Sequence, residues 1–110
     1  APERGGWSAF FTFFSGLDFF TPASHLALRG NGANAWFGWP TLPKLEELRT
    51  AWLEAPDQAA QQKIAADIQT QAFQDVPYLP VGQYFQPWAY RRGISGVLKG
   101  LPMFWNVQRA

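Results

Sequence analysis

His25 is the only histidine in the sequence, cysteine is absent, and eight carboxylates are scattered over 110 residues. These few groups bound the chemistry. A serine nucleophile would need His25 as its base, yet His25 sits within a short expected helix and no nucleophile-elbow pattern surrounds it. One histidine and dispersed acids match no HExxH, EF-hand or Cys/His spacing, so no metal is expected and His25 reads as a surface or packing residue. Gly30 and Gly32 lack the lysine and the strand-to-helix context of a phosphate loop. Glycoside chemistry would pair Asp18 with a second acid, and no spacing supplies one. Neither a catalytic residue nor a cofactor is expected. What stands out is Asp18 itself, placed after Ser15, Gly16 and Leu17 where an aromatic run breaks into a turn.

The elements that would position Asp18 follow from patterning. Residues 7–14, WSAFFTFF, are rich in β-favouring aromatics and too short for a helix, which predicts a buried strand ending at the Asp18 turn. Strand ends open into the crevices where α/β folds hold ligands. A short helix is expected to begin at Pro22 with Thr21 as its cap, and Gly30, Asn31 and Gly32 close it. In the irregular loop that follows, the rings of Trp36, Phe37 and Trp39 either plug the core or line a pocket.

Pro43 opens a helix over about 43–54, with Leu45, Leu48, Ala51 and Trp52 on one face. Asp57 caps a second over 57–75, with Ile64, Ile68 and Ala72 as its apolar stripe and a glutamine-rich face opposite that is solvated or interdomain. Pro77 stops it, since the proline ring disfavours the α region for Val76 and supplies no backbone donor. The run 78–92 then reads as a central buried strand with Pro80 and Pro87 near its ends, and 94–107 as further returning strand. The fold class expected is α/β, of mixed α+β character: a helical hairpin packed on a small mixed β-sheet.

Nine basic residues against eight acidic ones, with no run of like charge, give no electrostatic footprint for nucleic acid, so no nucleic-acid partner is expected. No apolar stretch approaches the length of a membrane span. Aromatic residues make up 17% of the chain and charged ones only 15%. Such a chain holds more apolar surface than 110 residues readily hide, and a contiguous exposed patch marks a groove or a partner interface. The expectation is a piece of something larger, which self-associates when it stands alone.

In this order, FFSGLDFFTP at 13–22, GAN at 32–34, LPKLEEL at 42–48, the D-x8-I-x3-IQ helix at 57–69, and DVPYLPVGQ followed by AYRRGISGV resemble the C-terminal part of family 5 solute-binding proteins, the peptide, dipeptide and nickel receptors of ABC importers. Members of that family are several times longer. The resemblance therefore implies an excised part of one lobe of a two-lobed periplasmic binding protein, periplasmic or extracellular and membrane-anchored, that closes over a small-molecule or peptide ligand without catalysis and delivers it to a membrane permease. In the peptide-binding branch an aspartate after the strand matching 7–14 holds the ligand's α-amino group, and Asp18 is the matching position. Phe14 would wall the pocket, and the backbone at Ser15 and Gly16 would meet an extended peptide. The family's pocket tryptophan is replaced here by Phe14 and Ser15, and its second acidic-proline pair by Thr21 and Pro22. On the returning strand Gln83 and Tyr84 match positions that point at ligand or into the core. The rival reading is an aromatic-rich module that binds a protein partner.

Overall fold

The computed structural model describes residues 6, 8–100 and 103–109. They divide into two compact units, one ending at Pro80 and the other starting at Val81.

The first unit is built on two α-helices, α1 (Pro43–Leu53) and α2 (Gln58–Asp75). Proline at the first position of α1 is tolerated because that backbone N–H would have no helical partner anyway. In α2 the cap is explicit: the Asp57 carboxylate accepts from the Ala60 N–H at 2.8 Å. Asp57→Ala should therefore cost about 1 kcal/mol, read as a lower urea midpoint with an unchanged slope. The far end of α2 stops at Asp75. Val76 leaves the right-handed region for φ 49° and ψ 56°, and its N–H donates to the Ala72 carbonyl at 2.9 Å. A β-branched residue seldom takes that conformation, but the ring of Pro77 penalises the helical alternative.

The core is small. Leu45 is 0% exposed and Ile68 2%, and with Leu28 they form a cluster against which Leu42, Leu48, Trp52, Ile64, Ala72 and Tyr78 pack. Each helix contributes its apolar stripe, so the hairpin shields itself on one side and uses Leu28 as a third wall. Leu28 comes from a 3-10 turn, Leu26–Leu28, where a longer helix from Pro22 was expected. A single turn suffices because Thr21, Ser24 and the backbone hydrogen-bond among themselves before it.

Residues 30–42 form a closed loop. The Gly32 N–H donates to the Pro40 carbonyl at 2.9 Å and the Leu42 N–H to the Gly30 carbonyl at 2.8 Å. Gly30 allows this approach, since a Cβ there would lie 2.5 Å from the Cβ of Leu42. Glu46 ties the loop to α1 by accepting from the Gly30 N–H at 2.7 Å while pairing with the buried Arg49 at 2.9 Å.

The expected strands need correction. Residues 8–14 and 78–92 carry no strand pairing, and Trp7, the expected first strand residue, lies outside the described residues. A strand exists only when a neighbour takes its backbone N–H and C=O groups in a regular ladder, and neither run belongs to one among the described residues. They are irregular chain, and Phe11 and Phe85 are 88% and 92% exposed instead of buried. In the second unit only Ile94–Ser95 of the returning strand expected over 94–107 is strand among the described residues; this β1 pairs antiparallel with β2 (Gln108–Arg109), just beyond the expected span, and Leu101 and Pro102 lie outside the described residues. The sheet is thus antiparallel and two residues long, where a mixed sheet under the hairpin was expected. No helix among the described residues is long and apolar enough to cross a membrane.

Candidate functional site

Asp18 closes a turn on itself. Its N–H donates to the Ser15 carbonyl at 3.1 Å, while the Ser15 N–H and hydroxyl donate to Asp18 Oδ2 at 3.1 and 2.9 Å. Two donors on one oxygen hold the carboxylate in a fixed orientation, and among the described residues Oδ1 accepts no hydrogen bond. Ser15, Gly16 and Asp18 are all exposed.

Aromatic rings run along this turn. Phe14, half-buried, packs on Phe19 with centroids 4.8 Å apart and edge-on against Trp36 at 4.9 Å. Trp36 and Phe37 meet Phe10 at 5.3 and 5.8 Å, and with Phe11 and Thr12 these rings line a shallow pocket of about 340 Å³. Trp36 and Phe37 therefore line a surface pocket, and the loop aromatics stay out of the core: Phe37 and Trp39 are exposed, and Trp36 is half-buried.

On its other side Phe19 stacks on His25, centroids 3.9 Å apart and planes 9° apart. His25 Nε2 lies 3.2 Å from the Tyr78 hydroxyl. His25 is buried, at 8% exposed, as the packing reading expects, but its bond to a residue 53 positions away left no trace in local sequence. A groove of about 570 Å³ opens beside this pair, walled by Phe19, Pro22, Ile68, Phe73, Val76 and Leu79.

Of the residues singled out from sequence, Phe14, Ser15, Gly16 and Asp18 come together in one turn of the first unit, while Gln83 and Tyr84 are exposed residues of the second. No group of three or more potential metal ligands forms among the described residues. A carboxylate oriented by two donors and flanked by flat apolar rings is suited to gripping a cation or a hydrogen-bond donor.

No family model matches the sequence. Over 109 residues the chain is 34% identical to a probable peptide ABC transporter periplasmic-binding protein of Sinorhizobium fredii (strain NBRC 101917 / NGR234). The similarity to that periplasmic-binding protein runs along nearly the whole chain. The aligned stretch takes in 98% of this chain and 20% of that relative, so the chain spans about a fifth of its length. A small unit with two helices and, beyond Pro80, a two-stranded ladder are compatible with a part of one lobe of such a protein.

Proposed function

We propose that these residues form part of a solute receptor of an ABC importer, in the periplasm or held outside the membrane, which binds peptides or similar amine-bearing small molecules and passes them to a permease. The observation that carries this reading is the 34% identity over 98% of the chain to a peptide transporter's binding protein. The site's chemistry agrees with it. Asp18 offers one carboxylate oxygen that the turn does not use, and an ammonium is the cation that a peptide's N-terminus presents. Phe14 beside the turn supplies an apolar wall, and beside Ser15, whose N–H and C=O already serve the turn, the exposed backbone of Gly16 is open to an extended peptide. Gln83 and Tyr84, in the second unit, are further ligand positions that only the family resemblance suggests. The protein binds and releases and performs no chemistry on its ligand.

The test is calorimetric titration of the receptor that carries these residues with a short peptide and with the same peptide N-acetylated. Acetylation removes the charge that Asp18 would hold, and affinity should fall roughly tenfold or more. Equal affinities would show that the α-amino group is not what this site reads.

A further inference from the structure

His25 is buried, titratable and unused by the ligand reading. Its ring is clamped between two partners from different parts of the first unit, Phe19 on one face at 3.9 Å and the Tyr78 hydroxyl at Nε2. Among the described residues Nδ1 is buried and has no hydrogen-bond partner. The Nε2–H tautomer, donating to Tyr78, is therefore favoured, because the alternative would bury an N–H with no acceptor.

The surroundings disfavour a second proton on the ring. Arg49 on α1 is the charge that faces His25, and its guanidinium is held by both oxygens of Glu46 and by the Pro22 carbonyl. Tyr78 faces it from behind α2, and the α2 residues lining the same groove, Ala65, Ile68, Gln69, Ala72 and Phe73, carry no charge. No carboxylate hydrogen-bonds the imidazole among the described residues. Burial pushes the imidazole below its ordinary value of 6.5; contact with its own backbone opposes this and Arg49 adds to it. Stacking on Phe19 would favour an imidazolium, but a cation over one phenyl ring does not replace the water lost at Nδ1.

We propose that His25 is a pH-operated latch: neutral, it ties the turn at 19–25 to Tyr78 behind α2, and protonated, it turns out to water and releases both. The imidazolium reaches water only by leaving the stack, which takes Nε2 away from the Tyr78 hydroxyl. Phe19 and Tyr78 both line the 570 Å³ groove, so release loosens two of its walls together. The sign follows from linkage. With the folded value below 6.5 the unfolded chain binds more protons, so the latch contributes fully above that pH and loses its contribution as pH falls through the folded value.

NMR of the native protein tests this directly, because one histidine and three tyrosines give assignable signals. The His25 imidazole should titrate with a midpoint below 6.5, and the Tyr78 ring signals should move with the same midpoint while Tyr84 and Tyr90 stay still. A His25 midpoint at or above 6.5, a Tyr78 that ignores it, or all three tyrosines moving together as in general unfolding would each overturn the latch. His25→Phe keeps a ring on Phe19 and takes no proton, so the slope of stability against pH between about pH 5 and 7 should flatten. A variant retaining the native slope would also overturn it, and should that variant fail to fold, the native titration decides alone.

Discussion

Asp18→Asn should weaken binding of an amine-bearing peptide by roughly 30- to 5,000-fold, about 2–5 kcal/mol, while leaving the fold in place. The fold is spared because asparagine's carbonyl oxygen still accepts from the Ser15 N–H and hydroxyl, and both side chains suit turn geometry. The size of the loss is informative. Asp18 is exposed as the chain stands, and an exposed ion pair contributes at most about 1 kcal/mol. A larger loss requires that water be shut out around the pair, as when a second lobe closes over it. Calorimetry of the variant, with its melting temperature measured alongside, separates three outcomes. Loss above about 2 kcal/mol supports a closed cleft around an ammonium. Loss below about 1 kcal/mol means the pair stays wet. Unchanged affinity for an amine-bearing ligand means that Asp18 only shapes its own turn.

Leu45→Ala should be the most damaging single change to the first unit, lowering stability by about 2–5 kcal/mol. Leu45 is fully buried where α1 meets α2 and touches the two other members of a three-residue core. With so few buried side chains there is little to collapse into the space left behind, which pushes the cost toward the upper end of that range. Set against a total of about 5–15 kcal/mol for an ordinary domain, such a loss leaves little margin. Urea denaturation monitored by helical circular dichroism measures it, with Leu53→Ala as the comparison. Leu53 is 61% exposed at the end of the same helix, and its replacement should stay within about 0.5 kcal/mol of the parent. Similar midpoints for the two variants would mean that the core is centred elsewhere.

The aromatic excess, read from composition as surface in need of a partner, corresponds to exposed rings at Phe11, Phe85 and Trp105. Both the helices and the Asp18 turn depend on neighbours within four residues, which is why they could be read along the chain. Pro43 starts α1, Asp57 bonds an amide three residues on, Pro77 turns Val76 out of α2, and Ser15 reaches Asp18 across three positions. Strands obey a different rule. The patterns at 8–14 and 78–92 carry β-forming residues, but hydrogen bonds to a distant partner make a strand, and no local pattern says whether that partner is present. The same distance hid the link from His25 to Tyr78 and the packing of Trp36 on Phe14, since 53 and 22 residues of chain separate those pairs. Local bonding wrote the helices and the Asp18 turn into the sequence, whereas the aromatic wall beside that turn, the contact of His25 with Tyr78 and the absence of a ladder at 8–14 and 78–92 among the described residues were decided by remote side chains and backbone groups in three dimensions.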